Sequence, residues 1–144
     1  MVKFNQELEN NESLNNLSLP EKIKFVEKSC TDVMMSPEEN YKKINSVMHF
    51  LKDPNFFVCK LAMLALAEVF KDTLPLYKID KKESEARLKE VISKEERKLL
   101  NYEYSLSIMY EKYLKAVYAI QEHLSRVIRI QRQGRGEQGH FVRV

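Results

Sequence analysis

From Phe56 to Phe70 the chain reads F-F-V-C-K-L-A-M-L-A-L-A-E-V-F, 13 apolar residues out of 15, with only Lys60 and Glu68 charged. Nothing in this stretch alternates as a strand would, and no proline interrupts it, so it predicts a helix. Asp53 is placed to cap it, Pro54 suits the first helical position, and Pro75 stops it, because the residue before a proline is pushed out of the helical region. Fifteen residues rise only about 22 Å, short of the roughly 20 residues of a membrane span. A helix apolar around its whole circumference has to be covered around its whole circumference. The expectation is therefore a buried helix in a stack of helices, with an architectural purpose.

The surrounding sequence supplies the stack. At 144 residues the chain is one domain's worth, enough for a single core. No segment alternates apolar and polar residues over six or more positions, so a sheet is not expected. Residues 1–17, with five asparagines and few large apolar side chains, read as disordered. Three Ser-x-x-Glu boxes then open helices: Ser18 with Glu21, Ser36 with Glu39, and Ser93 with Glu96. The first helix places Ile23, Val26, Cys30, Val33 and Met34 on one face. The second carries Tyr41, Ile44, Val47, Met48 and Leu51 at three-four spacing. Short links between the first three helices predict antiparallel neighbours. Residues 78–92 hold nine charged side chains between Lys78 and Glu90 and read as a solvated connector with at most a helical turn after Ser84.

From Lys94 to Arg132 no glycine or proline breaks the pattern. The stripe Leu99, Leu106, Tyr110, Tyr113, Val117, Ile120, Leu124 and Val127 predicts one helix, a rod of about 58 Å. A compact globule of this length is under about 40 Å across, so the rod overhangs, bends or pairs with another helix. Tyr102, Tyr104 and Tyr118 lie off that stripe. They, with Tyr110, are either a protein-docking surface or a cover for the third helix. All three glycines fall in residues 134–139, inside an Arg/Gly segment, 133–144, that reads as a flexible tail. Residues 126–144 contain five arginines and one acid, a net +4 in a chain whose total is +3. Arg126, Arg129, Arg132 and Arg135 are therefore candidates for RNA contact through phosphates, although cations also suit a helix C-terminus on electrostatic grounds alone.

No constellation in the chain points to catalysis. His49, His123 and His140 show no metal-ligand spacing with each other or with the two cysteines, and no glycine occurs before position 134 to build a phosphate loop. Cys30 and Cys59 sit on apolar helix faces and read as buried, reduced thiols. No opening apolar stretch resembles a signal peptide. The residues imply no enzyme, cofactor, metal, membrane contact or small-molecule substrate.

The order Asp-Pro, a valine, a lysine and alternating Leu and Ala also resembles the second helix of a HEAT or armadillo unit. An ordinary core helix fits the same spacing. Three linked segments carry a more specific resemblance. Val58, Lys60-Leu61-Ala62, Leu64, Leu66, Val69-Phe70-Lys71-Asp72, Pro75, Tyr77 and Ile79 resemble the N-terminal domain of the nucleolar complex-associated protein 3 family. Ser36 to Ile44 upstream, and Ile92 to Glu95, Lys98-Leu99 and Tyr110 to Leu114 downstream, resemble its flanking helices. The similarity covers roughly residues 19–132; Leu76 departs from it where a small residue, usually Gly, is expected. It implies an all-α fold, HEAT/armadillo-like antiparallel helices followed by one long C-terminal helix, over residues 18–132. It further implies a non-enzymatic scaffold in the nucleus and nucleolus, serving assembly and export of the large ribosomal subunit. The implied partners are nucleolar complex-associated protein 2 and pre-60S particles, and the resemblance also implies a role in DNA replication initiation. Members of that family are several times longer than this chain. An RNA-binding module built on the basic tail and a generic helical adaptor are the competing readings.

Overall fold

The computed structural model describes residues 12–75 and 79–142, with side chains as far as Gly134. Among these residues the fold is all-α and no strand occurs. The helices are α1 (Leu19–Met35), α2 (Pro37–Asn40), α3 (Lys43–His49), α4 (Phe56–Thr73), α5 (Lys81–Leu88) and α6 (Lys94–Val142), with a 3-10 turn at Phe50–Lys52 between α3 and α4. The chain divides into two compact units, Met1–Glu111 and Lys112–Val144, so the boundary falls inside α6.

The core of the first unit is α4 laid against α1 and α3. Val58, Cys59, Ala62, Leu66, Val69 and Phe70 form its buried face. Each fully buried aliphatic side chain there contributes on the order of 1.5–3 kcal/mol by leaving water. Opposing side chains include Val26 and Val33 of α1, Ile44 and Val47 of α3, and Phe50 of the 3-10 turn, all at most 1% exposed. Phe25 meets Phe50 edge to face at 5.6 Å.

The opposite face of α4 overturns the expectation of complete cover. Phe56, Phe57 and Leu64 are 53%, 58% and 54% exposed. At 100° per residue they share one side of the helix with Lys60, Ala67 and Lys71, about half a turn away from Val58, Ala62 and Val69. Mean apolarity told where the helix is greasy, but α1, α3, the 3-10 turn and Tyr110 of α6 leave this side uncovered.

The start of α4 also differs from expectation. Asn55, not Asp53, is its N-cap, its side-chain oxygen accepting the Phe57 N–H at 2.9 Å. The Asp53 carboxylate is otherwise engaged. One oxygen accepts the Asn55 N–H at 2.9 Å, and the other meets the Lys22 ammonium of α1 at 2.7 Å. Pro54 consequently stands outside the helix. The Asp53 side chain is 3% exposed and that of Lys22 13%, so this ion pair ties α1 to the entrance of α4 from within.

Of the three serine boxes, one forms completely. At α1 the Ser18 hydroxyl accepts the Glu21 N–H, and the Glu21 carboxylate accepts the Ser18 N–H, both at 3.4 Å. Ser93 accepts the Glu96 N–H at 3.2 Å, but the Glu96 carboxylate is turned to Arg87 instead. The Ser36 hydroxyl makes no cap bond. There the Ser36 N–H still donates to Asp32 O in α1, and Asn40 Nδ2 donates to the same oxygen at 3.0 Å. The expected second helix is accordingly broken. Ile44 N–H reaches Tyr41 O and Asn45 N–H reaches Lys42 O, three-residue bonds that separate α2 from α3. The break leaves Ile44, Val47, Phe50 and Leu51 buried and Met48 at the margin. On α1 the buried set is Val26, Ser29, Cys30 and Val33, while Met34 is 41% exposed.

Residues 12–15 are helical, with Leu14 buried and the Asn15 side-chain oxygen 2.8 Å from His49 Nε2. The reading of residues 1–17 as disordered thus differs from the structure over 12–15; residues 1–11 lie outside the described residues. The charged connector likewise contains a two-turn helix, α5, which Asp80 caps by accepting the Lys82 and Glu83 N–H groups at 3.0 and 3.3 Å. A cap of this kind stabilises a helix by about 1 kcal/mol, which offsets weak apolar patterning. α5 is tied to the first turns of α6 by Arg87 with Glu96, and Arg97 donates to Leu88 O and Glu90 O at 2.8 and 3.1 Å. In those turns Leu100 is buried and Leu99 is 45% exposed, the reverse of the expected stripe; Leu106, Met109 and Tyr113 continue the buried side. The bounds of α6 run past the expected end at Arg132 and take in residues 133–142 of the expected tail.

Candidate interaction surfaces

Burial decides which of the predicted surface residues present themselves. Tyr102 is half-buried, its ring edge-on to Tyr41 at 5.4 Å, and burial raises its phenol pKa. It lines a surface recess of about 370 Å³ between Ser36–Glu39 and Lys98. Tyr104 donates its hydroxyl to the Glu85 carboxylate of α5 at 2.6 Å, and that bond raises its pKa. The Tyr110 ring packs edge to face on Phe70 of α4 at 5.2 Å. All three tyrosines make contacts within the first unit, that of Tyr104 at an exposed position. Tyr118, in the second unit, is 67% exposed.

The arginines are outward. Arg126, Arg129 and Arg132 are all exposed, and Arg126 pairs with Glu122 one turn back at 2.7 Å. Arg135 lies outside the residues whose side chains are described. Spacing of three places Arg126, Arg129 and Arg132 around the polar side of α6 rather than in a single row.

The surface that the sequence did not single out is the open side of α4. Three large apolar side chains more than half exposed, on one helix and within nine positions, make a patch of the kind that marks a contact site. Its signal lay in the sequence all the same. A stretch as apolar as Phe56–Phe70 offers more greasy circumference than neighbours on one side can hide.

Elsewhere the chemistry is that of packing. Burial raises the Cys30 thiol to about 11, and also raises Cys59, whose thiol donates to Leu51 O at 3.3 Å. Both cysteines are free and buried. Burial lowers His49, against the opposing pull of Asp53. Among the described residues no group of three His, Cys, Asp or Glu side chains is placed to hold a metal ion, and no helix is long and apolar enough to cross a membrane.

Comparison with known proteins converges on one family. The family described as nucleolar complex-associated protein matches residues 21–113, well over half of the chain. Nucleolar complex-associated protein 3 of Arabidopsis thaliana is 39% identical over 83 residues, 58% of this chain and 10% of the relative. The Saccharomyces cerevisiae protein of the same name is 35% identical over 95 residues, 66% of this chain and 14% of the relative. Nucleolar complex protein 3 homolog of Homo sapiens is 34% identical over 101 residues, 67% of this chain and 12% of the relative. The chain thus spans between one tenth and one seventh of the length of these relatives. No solved structure matches it. The matched span begins in α1, takes in all of α4 and ends in α6, which is the packed body just described, and the names of its relatives place them in the nucleolus. By that match, this chain belongs to the nucleolar complex-associated protein family.

Proposed function

We propose that this chain is a docking component in nucleolar assembly of the large ribosomal subunit and acts by binding protein, without a chemical step. The observation that carries the reading is the uncovered face of α4, with Phe56, Phe57 and Leu64 each more than half exposed. Membership of a nucleolar family supplies the setting. Burying three such side chains against a partner is worth several kcal/mol, about what a small interface core requires. Precursors of the large subunit and nucleolar complex-associated protein 2 are the partners this reading implies. The test is purification of the tagged chain from nucleolar extract with assay of large-subunit precursor RNA and proteins. A Phe57→Glu, Leu64→Glu variant that stays folded is expected to lose these precursors. Full retention by that variant would remove the α4 face from the reading, and absence of precursors from the unmodified chain would end it.

One observation favours RNA contact as a second reading. Arg126, Arg129 and Arg132 are exposed, and Glu122 is the only acid between Lys112 and Gly134. Filter binding of ribosomal precursor RNA across a salt series, with and without residues 126–144, tests it. Loss of affinity and a shallower salt slope on deletion are expected from phosphate contacts; unchanged affinity and slope would refute it.

A further inference from the structure

The second unit holds a single helical segment and, among its described residues, no other element to lie against it. Its apolar side chains follow a heptad: Val117, Ile120, Leu124 and Val127 advance by three, four and three residues. The positions flanking that seam are also uncharged. Ile128 stands on one side and Ile130 on the other, 47% and 68% exposed. Apolar or neutral residues therefore occupy four of the seven heptad positions. A two-stranded coiled coil uses two, and places its charges at the flanks to choose a partner. A face this wide is covered by a pair of helices, not by one.

Charge settles what kind of pair. Every charged residue between Lys112 and Gly134, namely Lys112, Lys115, Glu122, Arg126, Arg129 and Arg132, lies on the three remaining positions. Five are basic and one is acidic. At the borders of the apolar face the ordering is sharper, with Lys112 and Arg126 along one edge and Arg132 along the other. The one acid, Glu122, sits behind those edges, and its exposed pairing with Arg126 is worth at most about 1 kcal/mol, so it does not hold that arginine back. A second copy of the chain would bring basic edge against basic edge, which works against self-pairing. An acidic edge complements both sides at once.

We propose that residues 116–134 dock, apolar face inward, into a groove between two helices of a protein partner whose rims carry Asp and Glu. This site uses different residues from the α4 face and rests on the docking function proposed above. It leaves Arg129 and Lys115, at the centre of the polar side, pointing away from the partner.

The test uses the full chain and two synthetic helical hairpins that share one Leu/Ile groove and differ only in having Glu or Lys at the rims. In a fluorescence anisotropy titration the Glu-rimmed hairpin is expected to bind at least about tenfold more tightly, and the preference to shrink with salt. Leu124→Glu, which retains a good helix former, is expected to weaken binding at least about tenfold. Lys115→Glu serves as a control of altered charge away from the groove and is expected to leave it within about twofold. Arg126→Glu with Arg132→Glu is expected to reverse the rim preference. Circular dichroism confirms that each variant keeps its helix. Equal affinity for the two hairpins, or affinity untouched by Leu124→Glu, would overturn the proposal. So would concentration-dependent oligomers in sedimentation equilibrium that Leu124→Glu disperses, since a second copy would then be the occupant. In cells, precursor binding lost through Leu64→Glu but kept by Leu124→Glu would leave the docking function standing while removing this surface from it.

Discussion

The buried ion pair between Lys22 and Asp53 should be costly to break. Asp53→Ala removes a carboxylate whose side chain is 3% exposed, leaving the Lys22 ammonium, 13% exposed, without its partner and the Asn55 N–H without its acceptor. Removing one member of a buried pair typically costs 3–5 kcal/mol. Lys22 has a long stem that lets its head reach water, which places the effect at the lower end. The lost Asn55 bond is on the exposed side and adds about 0.5–1 kcal/mol. A destabilisation of about 3.5–4 kcal/mol follows, a drop of about 12 °C in Tm for a chain of this size. Lys22→Met strands the carboxylate instead and should cost a similar amount. The double variant Lys22→Met, Asp53→Ala should cost clearly less than the two single effects added, because neither charge is then left stranded. Equilibrium urea unfolding followed by circular dichroism gives all three values. Single effects below about 1 kcal/mol that simply add would show that the pair behaves as a surface contact and would refute the reasoning.

Two leucines of α4 offer an internal comparison. Leu66→Ala, at a fully buried site, is expected to cost about 3 kcal/mol, and Leu64→Ala, 54% exposed, less than about 0.5 kcal/mol, in the same urea titrations. Thiol reactivity should report the core directly. With burial holding Cys30 near 11, its reaction with a disulfide reagent near pH 8 should be slow in the folded chain and rapid in denaturant. His49 supplies a pH dependence. Burial puts its folded pKa below the ordinary 6.5, so the unfolded chain takes up its proton first as pH falls, and stability is lost below about 6.5. The curve of stability against pH should flatten in that region for His49→Gln.

What the sequence made legible was periodicity and where it stops. The existence of α1, α4 and α6 follows from apolar spacing, and the stop at Pro75 from the backbone of the residue before it. What it hid were choices between competing local partners. Asp53 and Asn55 both suit a helix start, and only a lysine 31 positions upstream decides between them. Ser36 has the right companion at Glu39, but its backbone still belongs to α1 through Asp32. α5 has almost no apolar face, so a cap and its tie to α6 hold it where composition predicted a connector. The tyrosines show the same limit from the other side. Off-stripe position distinguished them, yet Tyr102 and Tyr104 find partners in Tyr41 and Glu85, residues far along the chain that no helical wheel connects. The α4 face was misjudged because apolar content measures demand for cover, and supply depends on how many neighbours the chain provides.

The short turn ahead of α1 changes where the folded body begins. Leu14 is only 8% exposed and Asn15 bonds His49, so material before Ser18 closes part of the interior. The family match begins seven residues later than Leu14, at Glu21. A recombinant polypeptide trimmed to that matched span would therefore have a gap in its wall beside the imidazole. It should melt early and stain with apolar dyes, a practical reason to keep the leading segment in any expression plasmid.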